Sequence, residues 1–118
     1  MSKDYTAYYP HINVKDGMAR VINNLQLYVR LLGKFKGREL ADDLAQAVCG
    51  GDSEKIIYSA HALKGTSANL GFPNVCKIAG EIEQLAKSNE DASHLLPELT
   101  KVMDDLMTHI ERFLSEAG

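Results

Sequence analysis

Cysteine is scarce in this chain and poorly placed for metal work. Cys49 and Cys76 are the only two. They form no Cys-x-x-Cys and have no His or Cys at ligand spacing, which argues against a zinc site. Two free, buried thiols fit a reducing cytoplasm. Positive charge is also short: 13 lysines and arginines against 16 acids give a net charge of −3. No basic cluster stands out, so nucleic acid is excluded as a partner. Long apolar runs are missing. Nothing approaches the ~20 residues of a membrane span, and the N-terminus lacks the basic-then-apolar pattern of a secretion signal. The expected location is therefore cytoplasmic. There is no Gly-rich phosphate loop and no Walker-type Lys-Ser/Thr, which argues against a nucleotide-using enzyme. No period-2 run enriched in β-branched residues occurs, and neither does an internal repeat or a low-complexity linker.

What is present is a succession of helical periods. A chain of 118 residues, 45% hydrophobic and 25% charged, is one domain with an ordinary soluble composition, long enough to bury a core unaided. Residues 1–11, with Tyr5, Tyr8, Tyr9 and Pro10, precede any helical period and form a flexible arm; residues 12–118 form the domain. His11 has no partner pattern and receives no role. A short helix is predicted from Asp16 to about Ile22. Asn23-Asn24 interrupts it and caps a second, carried by Leu25, Tyr28, Leu31, Leu32 and Phe35. A third runs from about Arg38 to Cys49 and is stopped by Gly50-Gly51. A fourth, capped by Asp52 or Ser53, reaches Leu70, with Gly71 at its end. Pro73 opens a fifth, striped by Val75, Ile78, Ala79, Ile82, Leu85 and Ala86 to about Ser88. The last spans about Ser93–Ser115, with Pro97 confined to its first turn. The fold class is all-α. Short turns between long helices predict an up-down-up-down antiparallel four-helix bundle with two shorter N-terminal helices.

The fourth helix separates into two unlike faces at about 100° per residue. Ile56, Ala60, Leu63, Ser67 and Leu70 form an apolar-to-small stripe suited to a core. Ile57, Tyr58, His61, Lys64, Gly65 and Ala68 lie roughly opposite. Along this face His61 has a lysine at i+3 and a glycine at i+4, its nearest helical neighbours. A glycine inside a helix costs about 1 kcal/mol relative to alanine. Leaving position 65 bare points to close approach of another molecule to His61.

His61-x-x-Lys64-Gly65-x-Ser67-x-x-Leu70-Gly71 resembles the signature of histidine-containing phosphotransfer (HPt) domains. Upstream, Ile12-x-Val14-x-x-Gly17-Met18-x-Arg20 and Leu27-Tyr28-x-x-Leu31-Leu32-x-x-Phe35 are similar to that family's opening helices. Downstream, Ala79-x-x-Ile82-Glu83 is similar to its next long helix. The resemblance runs from about residue 12 to 115. It implies a phosphorelay carrier of two-component signalling, phosphorylated on His61 by a receiver-domain aspartate and unloaded by another. The implied partners are response-regulator receivers and a hybrid sensor histidine kinase. It also implies a monomer without a cofactor of its own, Mg2+ being expected in the partner receiver, and a carrier rather than an enzyme. A starting Met and a complete bundle favour a freestanding protein over a piece of a hybrid kinase.

The chemistry of the residues agrees. A lone surface histidine is most often only solvated, but a neutral imidazole offers one ring nitrogen as a nucleophile at neutral pH. Lys64, an ordinary solvated lysine in isolation, becomes a counter-ion beside a phosphoryl group of charge near −2. In the resemblance, Glu83 falls where the family commonly places a Gln or Glu that hydrogen-bonds the imidazole. Accepting Nδ1–H would aim the Nε2 lone pair outward, although the same carboxylate favours the protonated ring. A solvated glutamate is the plainer alternative, and Gln84 takes the role if the register is off by one. Ile57, Tyr58, Lys64, Gly65 and Ala68 form the expected partner surface. Ser67, Leu70 and the methionines and tyrosines at helical spacing are assigned to packing. His94 and His109 lack the Lys-Gly context.

Competing function classes fit less well. A histidine-kinase dimerisation domain usually carries an acid directly after its histidine, where this chain has Ala62. A di-metal bundle needs Glu-x-x-His pairs on facing helices; none occurs, and Asp105 and His109 are one position too far apart. The remaining alternative is a bundle used purely for interaction, as a degenerate carrier.

Overall fold

A computed structural model describes residues 11–117. The predicted N-terminal arm lies almost wholly outside the described residues. Six α-helices follow one another: α1 (Val14–Arg20), α2 (Leu25–Lys34), α3 (Gly37–Gly50), α4 (Ser53–Leu70), α5 (Pro73–Lys87) and α6 (Leu96–Ala117), the last preceded by a 3-10 turn at Ser93–Leu95. No strand occurs among the described residues.

Local chemistry accounts for most of the boundaries. Asn24 accepts from the Leu27 N–H at 3.1 Å to start α2. Asp52 accepts from the N–H groups of Glu54 and Lys55 to start α4. Each satisfies a donor that the first helical turn leaves unpaired. Gly51 and Gly71 close α3 and α4 at φ +73° and +82°, a left-handed conformation that glycine adopts without steric cost. Pro73 and Pro97 fall in the first turns of α5 and α6, where no intrahelical donor is lost.

The last helix, expected from about Ser93, begins at Leu96, residues 93–95 forming the 3-10 turn, and α1 differs from expectation at both ends. α1 begins at Val14, capped by Asn13 through a 3.0 Å bond from the Asp16 N–H, and ends at Arg20 instead of Ile22. Starting earlier turns Val14 and Gly17 into the core. Ile22 and Asn23 then turn the chain at φ 55° and 56°, which leaves Ile22 91% exposed.

Helices α3 to α6 pack in a ring, each against the next, and α3 also packs on α6. The two-residue link Gly71-Phe72 joins α4 to α5 at one end. At the other, the Ser53 hydroxyl donates to Asn89 just beyond α5, so α4 and α5 run antiparallel. α1 and α2 close against α4 and α6. The core is one cluster that includes Tyr28, Leu32, Leu44, Leu63, Phe72, Ile82, Leu99, Met103, Leu106 and Phe113. The buried residues of α4 are Ile56, Ala60, Leu63, Ser67 and Leu70, the predicted stripe, so its opposite face is left outward.

Tyr28 fastens α2 to the end of α4. Its buried hydroxyl donates to the Leu70 carbonyl at 2.6 Å, satisfying a C-terminal acceptor that α4 leaves open. Burial pushes the phenol pKa far up, so it remains a neutral donor. Gly17 makes this contact feasible: a Cβ there would stand 2.5 Å from the Tyr28 ring. The thiols depart from expectation. Cys49 is exposed and Cys76 half-buried, because Cys49 falls beside, not on, the buried stripe of Ala41, Leu44 and Val48.

Candidate functional site

The outward face of α4 carries His61, with its side chain 69% exposed. Helix α5 runs alongside and contributes Glu83, whose side chain is only 3% exposed. One carboxylate oxygen, Oε2, lies 3.0 Å from His61 Nδ1; the other, Oε1, accepts from Lys64 Nζ at 2.9 Å. Lys87, one turn further along α5, brings its Nζ to 3.6 Å from Oε2. Glu83, and not the exposed Gln84, is therefore the residue in contact with the imidazole.

The hydrogen bond from Lys64 lowers the Glu83 pKa against a desolvation that would raise it; the bond from His61 and the charges of Lys64 and Lys87 add to the lowering. The carboxylate is thus ionised at neutral pH, and an ionised carboxylate only accepts. In the neutral ring, Nδ1 must then carry the proton, and the Nε2 lone pair is the free one.

That shift has a consequence for stability. Because the folded pKa lies below the ordinary 4.5, the cluster stabilises the fold fully above about that pH. The contribution is lost as pH falls through the lowered folded value. Glu83→Gln should therefore lower the melting temperature at pH 7, and the gap to the parent should narrow as pH is taken from 5 towards 3. A gap independent of pH would mean that the charge on Glu83 does not contribute.

Gly65 sits on the exposed face, and a Cβ built there meets nothing within 4 Å. Ile57 is half-buried against the core, while Tyr58 is 79% exposed. Together with Glu54, His61 and Ala62 they line a shallow depression beside the imidazole. Ala68 is half-buried, further along the same helix. The structure thus gathers His61, Lys64 and Glu83 into one hydrogen-bonded cluster, with Ile57, Tyr58 and Gly65 as its surroundings.

Two contributors escaped sequence reasoning. Lys87 stands at i+4 from Glu83, a spacing that signals an ion pair once Glu83 is known to be buried. Gly80 lies under Lys64, where a Cβ would come to 3.4 Å from Lys64 Cδ; nothing in the sequence marks that contact. His11, given no role, accepts from the Asn74 side-chain amide through Nδ1 at 2.8 Å, lies 3.8 Å from Asp105 and stacks on His109 at 5.2 Å. Its partners come from α5 and α6, which is why its own neighbourhood in sequence gave no pattern.

A family model for the Hpt domain matches residues 34–113. The chain belongs to the Hpt domain family. Membership implies a phosphotransfer role in a phosphorelay, as a carrier, and Hpt domains typically interact with receiver domains. The match begins at the end of α2, so α1 and most of α2, where resemblance was also read, fall outside it. No curated protein and no solved structure gives a significant match. Among the described residues, no helix of this Hpt domain is long and apolar enough to cross a membrane. Among the same residues, no group of three or more His, Cys, Asp or Glu side chains is placed to hold a metal ion.

Proposed function

We propose that this Hpt domain accepts a phosphoryl group on His61 Nε2 from the aspartyl phosphate of one receiver and gives it to the aspartate of another. The observation that carries this reading is the pairing of an exposed imidazole with a buried carboxylate, His61 Nδ1 to Glu83 Oε2 at 3.0 Å. The Nε2 lone pair attacks phosphorus in line; the N–P bond forms as the acyl phosphate O–P bond breaks and the aspartate leaves as carboxylate. The ring keeps its Nδ1 proton and gains positive charge. Glu83 faces that charge already oriented, which favours the transition state as preorganised electrostatics do. Lys64 lies within reach of the incoming phosphoryl oxygens and acts as a counter-ion. The receiver supplies the aspartyl phosphate and the Mg2+, so this chain acts as a carrier and not as an enzyme, in the cytoplasm.

Incubating the protein with a panel of phosphorylated receivers tests the reading. The expected product is an acid-labile, base-stable phosphate on this chain. Binding of receivers without any transfer would leave a pure interaction module.

The bare face supplies a second test. Gly65→Ala should raise stability by up to ~1 kcal/mol, because alanine is the better helix former and open space surrounds the position. Gly65→Gln should also fold. Transfer should nevertheless fall as the side chain grows, its atoms standing between His61 and a receiver pocket. Melting temperatures and transfer rates measured together decide this. Full transfer with a bulky residue at this position would remove Gly65 from the docking surface.

A further inference from the structure

Three cationic or hydrogen-bonding partners converge on the Glu83 carboxylate, one more than the proposed phosphotransfer uses. His61 Nδ1 and Lys87 Nζ share Oε2, at 3.0 and 3.6 Å, while Lys64 holds Oε1 at 2.9 Å. Phosphorylation of His61 would place a group of charge near −2 beside Lys64, which stands at i+3 on the same helix. Lys64 is 38% exposed, so its ammonium can turn outward to meet that charge. Doing so weakens the bond it makes to Glu83. A carboxylate only 3% exposed cannot lose its closest cation cheaply, because breaking a buried pair leaves an uncompensated charge.

Lys87 removes that conflict. It lies on the helix that carries Glu83, is half exposed, and stands just beyond hydrogen-bonding range of Oε2. A flexible four-carbon stem lets it close the remaining gap. Gly80 gives the Lys64 stem a bare surface to move across, since even a methyl group there would touch Lys64 Cδ at 3.4 Å. We infer that Lys87 is a positioning residue: it takes over the Glu83 carboxylate when Lys64 turns to the phosphoryl group, so that the buried charge stays paired in both states. The inference rests on phosphorylation of His61.

Phosphoramidate, a small-molecule donor that loads exposed imidazoles without any receiver, provides the test on the full chain. The His61 phosphorus resonance is the one missing from the His61→Gln variant. Loss of the phosphoryl group to water passes through a loose, metaphosphate-like transition state, in which electron density moves off the phosphoryl oxygens towards the leaving imidazole. A counter-ion held on those oxygens therefore stabilises the phosphorylated ground state more than the transition state and slows the loss. Lys64→Gln should shorten the phosphohistidine lifetime about threefold, the order that one exposed counter-ion supplies. Lys87→Gln should shorten it about as much, because Lys64 is then retained by Glu83. The double variant should be no shorter-lived than either single one, and Lys87→Arg should restore the parent lifetime. In lysine ammonium spectra, the Lys64 signal should shift on loading in the parent and stay in place in Lys87→Gln. A parent-like lifetime in Lys87→Gln, multiplying effects in the double variant, or a Lys64 shift that survives without Lys87 would each overturn the proposal. Failure of receivers to load the parent protein would instead count against the proposed function, and leaves the phosphoramidate result readable.

Discussion

His61→Gln should abolish phosphoryl acceptance from receivers while leaving helicity and thermal stability almost unchanged. The side chain is 69% exposed and its one hydrogen bond goes to Glu83, which retains Lys64 at 2.9 Å and Lys87 at 3.6 Å. Loss of a single hydrogen bond at an exposed position is worth about 1 kcal/mol or less, and a glutamine amide can still donate to the carboxylate. No nucleophile replaces Nε2, so transfer should drop to background. Substituting His11, His94 or His109 should leave acceptance intact. His11 and His109 stack on each other, and the exposed His94 lies in the 3-10 turn; the side chains paired with the Glu83 carboxylate are instead His61, Lys64 and Lys87. The measurement is radiolabelled phosphate retained by each variant after incubation with a phosphorylated receiver, alongside a melting curve. Transfer that survives in His61→Gln would end the proposed mechanism.

Gly71→Ala should be the most damaging single-methyl change for the fold. Gly71 closes α4 at φ +82°, and a Cβ there would fall 2.3 Å from the backbone oxygen of Asn13 and 3.1 Å from the Gly17 nitrogen. The first of these is main chain at the cap of α1, which cannot step aside as a flexible side chain would. An alanine in the left-handed region costs roughly 1–2 kcal/mol, and a forced backbone shift about 1–3 more. A loss of about 3 kcal/mol lowers the melting temperature by ~10 °C or more for a domain of this size. The α1 contact should suffer first, because the Asn13 N–H also donates to the Gly71 carbonyl. Phosphoryl acceptance per folded molecule should survive, as His61 lies nearly three turns away along α4. A parent-like melting temperature would show that α1 does not dock on the end of α4.

Helix α4 shows how far the sequence reached. Its cap at Asp52, its stop at Gly71 and its five buried positions all follow from local rules, namely capping chemistry and a 3.6-residue period, and the structure has each of them. The outward placement of His61, Lys64 and Gly65 then follows by geometry, because one face of a helix fixes the other. α1 is the counter-example. Its seven residues contain too little period to mark a start, and the start observed buries Val14 and Gly17, the latter against Tyr28.

Apart from the bounds of α1 and the start of α6, the course of the helices and their turns was thus decided by the sequence alone, as were the buried face of α4 and the histidine that its other face presents. The tertiary structure decided the chemistry around that histidine. Whether Glu83 is a solvated side chain or a buried carboxylate depends on how α5 is rotated against α4, and a rotation of one residue, about 100°, would have presented Gln84 instead. The same packing brings Lys87 to Glu83, lays Lys64 across Gly80, and joins His11 to Asn74, Asp105 and His109. A helical period says which side of a helix faces inward. It does not say at what depth or angle a second helix meets it, because that is fixed by the fit of side chains from the whole core at once.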